Sequence, residues 1–323
     1  MTTFGDGVFQ YGGAPVASGG PFPKSGGHVW FVDGTNGLDG NSGKTPSQAF
    51  ATLGQAVEDN PDLQEFDTVY VFPKTMAATD TDPSSYAETI TISTPHLSLI
   101  GVGSGPVQAN LPQIKIGGSS TTVMISIEAP GVTIQSLGFN GASSTGGGIS
   151  IGKVPSGTVI RGCHFKNCKT HATQGTGGGA IFWTSEGGGW QTLIEGCSFY
   201  KNVADIVLVG TTDSRPQDVY IRNCKFSGPG ASVTVNIYGA GGSGFDGLYV
   251  DNCVFPCLPA LSSGNVNMPV KLTGCVGSLT NCTFGTSNKS FGAAGDVYVP
   301  TTMLIANCHQ EEAQDTTGEI GRT

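Results

Sequence analysis

Thr158-Val159-Ile160-Arg161-Gly162-Cys163-His164-Phe165 is the first clear copy of a phrase that the chain uses six times. It returns as TLIEGCSF ending at Phe199, VYIRNCKF at Phe226, LYVDNCVF at Phe255, GSLTNCTF at Phe284, and MLIANCHQ, where Gln310 replaces the aromatic residue. A cysteine-free version, VTIQSLGF, ends at Phe139 and carries Leu137 in the cysteine position. Measured at that position, successive copies stand 26, 34, 27, 29, 29 and 26 residues apart, a spacing typical of stacked repeats. The natural reading is one phrase per coil.

Alternation within the phrase assigns its faces. Three residues before the cysteine stand Ile160, Ile194, Ile221, Val250, Leu279 and Ile305, always aliphatic and therefore inward. Two before it stand Arg161, Glu195, Arg222, Asp251, Thr280 and Ala306, therefore outward. Immediately before it stand Gly162, Gly196, Asn223, Asn252, Asn281 and Asn307, residue types that tolerate left-handed backbone, so this position predicts a bend between two strands. After the bend the cysteine and the aromatic two residues on both point inward. Coils stacked about 4.8 Å apart then align Cys163, Cys197, Cys224, Cys253, Cys282 and Cys308 in one interior column. Phe165, Phe199, Phe226, Phe255 and Phe284 align in a second. The asparagines predict an amide ladder at the corner, and the outer charges alternate in sign from coil to coil. Nine or so coils of this kind make a stiff rod roughly 45 Å long.

Composition agrees with short strands and tight turns. The 323 residues include 51 glycines with no collagen period, and a repeat array of this length need not divide into two domains. Only 12% of residues are charged and the formal net charge is -9, which argues against nucleic acid as a partner. No apolar run reaches the roughly 18 residues of a membrane span, and no charged-then-apolar leader opens the chain, so synthesis in the cytosol and no membrane partner are expected. Six of the nine cysteines occupy one repeat position, which favours a stack of buried thiols over disulfides. No metal-binding spacing stands out: Cys163 and Cys168 are isolated, and Cys253 and Cys257 have no histidine nearby.

Residues 1 to 28 are Gly-, Pro- and Ser-rich, with Phe4, Phe9, Tyr11 and Phe22 scattered through them. Such an arm reads as a docking segment, ordering on a partner that buries those rings, or as a plain linker. Residues 29 to 60 read as a strand, VWFVDG, a loop, and a short amphipathic helix from about Gln48 to Glu58 with Ser47 as N-cap. Asp33, Asn36, Asp39 and Asn41 in the loop could hold calcium, although turn chemistry explains them equally well. TVYVFP, YAETITI and LSLIGVG follow. From residue 61 to 308 the repeat governs, and 309 to 323 form an acidic tail expected to be disordered or to extend onto a neighbour.

The opening strand, the DG-x-N-G-x-DGN-x-G loop, AFATLGQAV and the strands after it resemble right-handed parallel β-helix proteins of the pectin-lyase-like superfamily. The resemblance implies an all-β solenoid whose coil end is closed by the short helix. FGDGVFQYGGAPV followed by FVDGTNGLDGNSGK is also similar to bacteriophage-encoded β-helix proteins.

Many β-helix proteins cleave polysaccharide, which by a glycosidase route takes two carboxyl groups about 5 to 10 Å apart. Glu186, Asp205, Asp213, Asp218 and Asp246 are read as projecting from turns or outer faces, and Asp213 and Asp218 flank Arg215 in GTTDSRPQD, the best charged cluster available. That cluster is also ordinary turn composition. The chain has four arginines, two of them in the outer charge line, which departs from the lyase pattern. His164 and His309 share the outward position after the cysteine, and no histidine forms a legible triad. Trp183 and Trp190 bracket the SEGGG loop and, with Tyr220 and Tyr249, offer either a sugar platform or loop anchors.

Four residues before the cysteine, on the outward face, stand Val159, Leu193, Tyr220, Tyr249, Ser278 and Leu304. A line with five apolar or aromatic members predicts a protein contact, between identical chains as a homotrimer or with a larger assembly, unless loops of the same chain cover it. The expectation is a bacteriophage virion structural protein, made in the host cytoplasm, decorating or cementing the capsid through contacts with the major capsid protein or other virion proteins. No cofactor is implied. The alternatives are a tailspike-type depolymerase at Asp213, Arg215 and Asp218, and a glycan-binding adhesin.

Overall fold

In a computed structural model, residues 10–11, 14–15, 27–76, 84–103, 110–116, 123–141, 147–152, 154–168, 179–184, 188–209, 215–226, 235–240, 245–255, 268–285, 297–311 and 318–320 are described. Phe4, Phe9, Phe22 and Asp213 lie outside them. Each phrase folds as a strand, a bend and a second strand, as in Val159–Arg161, Gly162 and His164–Lys166. Strands from successive coils pair in parallel and in register. They build a ten-stranded first sheet running from Val29–Val32 to Met303–Ala306, and a ten-stranded second sheet beginning at Ser85–Tyr86. A third sheet of eight strands runs from Ile90–Ile92 to Val297–Tyr298. Sheet order follows chain order, coil upon coil, so this is an all-β parallel β-helix.

The bend is where expected. Gly162, Gly196, Asn223, Asn252, Asn281 and Asn307 have φ of 59, 61, 56, 48, 54 and 52°. Ser136 takes the same conformation, φ 54°, in the cysteine-free copy, although serine adopts it less readily. The amide ladder is partial. Asn252 Nδ2 donates to Asn223 Oδ1 at 2.8 Å and Asn307 Nδ2 to Asn281 Oδ1 at 3.3 Å, but Asn281 Nδ2 turns to the Asp251 carboxylate at 2.7 Å. A charged acceptor outcompetes an amide oxygen at that step.

Inside the coil, Phe139, Phe165, Phe199, Phe226, Phe255 and Phe284 stack with centroids 4.7 to 5.2 Å apart and planes within 10°. Each such contact contributes about 0.5–1.5 kcal/mol beyond area burial. The six repeat cysteines are free and buried. Each donates S–H to the carbonyl two residues earlier, and all six also reach a carbonyl of the preceding coil. Burial raises the Cys197 thiol well above its ordinary pKa, and the neighbouring thiol raises Cys224 and pushes Cys282 up to about 12. These sulfurs pack as small apolar groups.

Three features differ from the sequence reading. The helix begins later, at Leu53–Val57, with Thr52 rather than Ser47 as N-cap. Pro46–Gln48 makes a separate 3-10 turn, Phe50 is held extended by hydrogen bonds to Phe31 and Asp33, and the Asp39 carboxylate accepts the N–H groups of Ala51 and Thr52, so the α-helix cannot start before Thr52. The third sheet comes from segments outside the phrase: Ile149–Ile151 and Ile181–Trp183 follow glycine-rich turns, and Ala204–Val209 follows Lys201, Asn202 and Val203. The C-terminal tail, expected to be disordered or to reach a neighbour, contributes Gly318–Ile320, which pairs antiparallel with Cys308–Glu311 along the edge of the second sheet.

Candidate interaction face

The outward positions of the first sheet form two lines along the rod. In strict register, one line runs Ser98, Thr133, Val159, Leu193, Tyr220, Tyr249, Ser278 and Leu304. The other runs Ile100, Gln135, Arg161, Glu195, Arg222, Asp251, Thr280 and Ala306. On the first line Val159 and Leu193 are half-buried, whereas Tyr220, Tyr249 and Leu304 are 43, 36 and 62% exposed. The two tyrosine rings stack at 4.9 Å with planes 17° apart. Solvent reaches these side chains, which is the arrangement expected of a contact surface.

Charges on the second line engage their neighbours along the rod. Glu195 sits between two arginines, with Oε2 2.8 Å from Arg161 Nε and Oε1 2.8 Å from Arg222 Nε. Asp251 Oδ1 accepts from Thr280 Oγ1 at 2.7 Å as well as from Asn281. Each exposed pair adds only about 0 to 1 kcal/mol, so the line orders the surface more than it stabilises the fold.

The other sequence candidates disperse. Arg215 lies 3.8 Å from the Asp246 carboxylate, and its carbonyl accepts from Trp190 Nε1 at 3.1 Å. Asp218 is exposed at a bend with φ 51°. Tyr11 is described as backbone alone, in a two-residue antiparallel bridge with Ala14 and Pro15. Trp190 is 50% exposed, but Trp183 is an interior residue of the third sheet, and its exposure of 0% removes it as a sugar platform. The aromatic side of the SEGGG loop is thus one exposed indole and one core indole.

Asp205 is also relocated. Read from sequence as projecting outward, it is 2% exposed at the corner entering Ala204–Val209. Its carboxylate accepts from Asn202 Nδ2 at 2.8 Å and from Asn236 Nδ2, one coil on, at 2.6 Å. Burial pushes its pKa up to about 7 against those two hydrogen bonds. Cys168, raised by the same burial and by Asp205, completes the corner. In the N-terminal loop, the Asp33 carboxylate binds the N–H groups of Thr35 and Asn36 and the Asn36 side chain, and Asn41 Nδ2 donates to the Ala49 carbonyl. With Asp39 accepting from the Ala51 and Thr52 N–H groups and the Thr52 hydroxyl, the loop's oxygens do turn chemistry, and among the described residues no cluster of metal-ligating side chains forms.

Sequence reading missed one close pair: His164 Nδ1 and Ser198 Oγ, 2.6 Å apart on the outside of the second sheet. Both occupy the position after the cysteine in adjacent copies, which was the available signal.

No family model matches the sequence, and no curated protein does. The backbone is similar to that of a GH136 lacto-N-biosidase from Eubacterium ramulus, with TM-score 0.54 and 11% identity over 88% of this chain and 56% of that one. The chain thus spans little more than half of that enzyme's length. The fold the two share is the parallel β-helix. A pectin methylesterase from Erwinia chrysanthemi is similar at TM-score 0.47 and 13% identity, covering 89% of this chain and 90% of that one. Geobacillus virus E2 ORF18 is similar at 0.42 and 14%, covering 81% of this chain and 57% of that one. At 11% identity the likeness to the lacto-N-biosidase carries the fold and no activity.

Proposed function

We propose that this chain is a structural rod of a bacteriophage virion, a decoration or cement protein that binds other proteins through its N-terminal arm and the outer face of its first sheet. The observation that carries the reading is the register-matched line from Val159 to Leu304, whose tyrosines and terminal leucine stay exposed on a rigid face. Aromatic residues and arginine are the side chains enriched at protein contacts. The resemblance of the opening residues to phage-encoded β-helix proteins supplies the setting. The arm, with Phe4, Phe9, Tyr11 and Phe22, docks on the major capsid protein, and the buried area it adds resists internal pressure.

Particles assembled with a chain lacking residues 1 to 28 are expected to lack this protein on gels and in micrographs. Retention at full occupancy would sink the reading. A glycan-binding function is favoured by one observation, the exposed Trp190 indole on the coil before Tyr220. Glycan-array binding lost in Trp190→Ala, with virion attachment intact, would replace the first reading by that one.

A further inference from the structure

The outer face of the first sheet reads as its own complement, and we infer that its occupant is a second copy of this chain, packed antiparallel about a two-fold axis. This rests on the reading of that face as a protein contact and names the partner. Along the second line the charges run Arg161, Glu195, Arg222, Asp251, one per coil. Reversed in order, plus becomes minus at each level.

Two identical flat faces can meet about a two-fold axis that lies between them, parallel to the strands. Such an axis keeps each line opposite itself and reverses the order of coils. Placed between the Glu195 and Arg222 levels, it sets Glu195 of one copy against Arg222 of the other and Arg161 against Asp251. On the first line the same operation sets Leu193 against Tyr220 and Val159 against Tyr249, apolar groups on aromatic rings.

The match continues outward. Gln135 meets Thr280, Thr133 meets Ser278, and Ile100 meets Ala306, so polar positions meet polar and apolar meet apolar. Ser98 against Leu304 is the single mismatch. The correspondence spans eight strands of one sheet.

The competing symmetries lack this property. An axis parallel to the rod, two-fold or three-fold, keeps coils level. If it runs along the charged line it brings Arg161 beside Arg161 and Glu195 beside Glu195, and a two-fold axis running between the lines lays tyrosines on charges. A two-fold axis along the first line avoids both faults but leaves Arg161, Glu195 and Asp251 facing no opposite charge, so charge order favours the antiparallel arrangement even where it adds little affinity.

Eight strands at about 4.8 Å make a face roughly 34 Å long and about 10–15 Å wide, or about 400 Å² per copy in projection. That is below the ~800 Å² per partner of a standard stable interface, so the dimer dissociates in the micromolar range or above.

Sedimentation equilibrium of the full chain across about 1 to 500 µM gives the test. The wild type is expected to pass from monomer to dimer. Arg222→Glu sets a carboxylate against Glu195 at two places per dimer and should raise the dissociation constant about tenfold or more. Adding Glu195→Arg to that variant restores opposite charges across the two-fold axis, while leaving like charges level in any parallel assembly. Recovery to within about threefold of wild type is therefore specific to the antiparallel pair. Unchanged thermal midpoints separate lost association from lost folding. A wild type that stays monomeric, a trimer, or a double variant no tighter than Arg222→Glu overturns the inference. Each of these leaves the arm-deletion result untouched.

Discussion

Asp205 makes stability depend on pH in a direction opposite to that of ordinary surface carboxylates. Its carboxyl stands between Asn202 and Asn236 with Cys168 behind it, and burial carries its pKa from 3.8 to about 7. A carboxyl whose pKa is raised on folding binds its proton more tightly in the folded state, so its contribution is fully present below pH 3.8 and declines until the folded carboxyl ionises near 7. At about 1.4 kcal/mol for each pH decade between those two values, the loss totals about 4 kcal/mol, of which about 3 kcal/mol falls between pH 5 and pH 8. Asn236 is suited to a protonated partner. The 2.6 Å contact is short for N–H···O and fits O–H···O, and Asn236 Oδ1 is a buried acceptor without a hydrogen-bond partner that a half-turn of the amide would present. Asp205→Asn keeps the size and removes the titration. Urea midpoints followed by tryptophan fluorescence at pH 5, 6, 7 and 8 should therefore show the variant gaining on wild type as pH rises, with most of the change before pH 7. Parallel curves for the two proteins across that range would refute the assignment of a buried, proton-holding carboxyl.

Two further substitutions probe the stack. Phe199→Ala removes the middle of the ring column, where exposure is 0% and both neighbours are within 5.2 Å, and should cost about 3–5 kcal/mol in chemical denaturation. A cost below 1 kcal/mol would mean that the rings do not stack in solution. At the corner, Asn252→Ala loses the amide bond to Asn223 and puts a Cβ-bearing residue without local hydrogen bonding at φ 48°, for about 1–2 kcal/mol, whereas Asn252→Gly should lose less. Equal losses in the two variants would show that the bend itself carries no strain.

The legible part of this fold was the part that repeats. Ile160, Cys163 and Phe165 recur at fixed offsets, and the recurrence alone assigns two sheets, the bend and both interior columns. Serine at position 136 shows the limit of that signal, since the left-handed bend persists there without glycine or asparagine. The third sheet escaped because its strands follow connections of variable length and composition and share no fixed phrase; Ile149, Ile181 and Ile206 align only in space. Burial of Trp183 and Asp205 was illegible for the same reason, as both lie on that sheet. The helix start depended on Asp39, twelve residues before the N–H it binds at Ala51, which no local capping rule reaches. The outer face was visible as a line of residue types, but its order along the rod had meaning only once the register was fixed.

The interior columns match coil by coil, each ring and each thiol meeting a like neighbour above and below. A duplicated coil would therefore find its place anywhere in the stack, and the rod could grow or shrink by whole copies without disturbing what lies inside. The surface is different. One extra coil between Arg161 and Glu195 moves Arg161 a level out of line with Asp251, and the sequence of charges ceases to be its own inverse. The core is indifferent to the number of copies, and the outer face counts them.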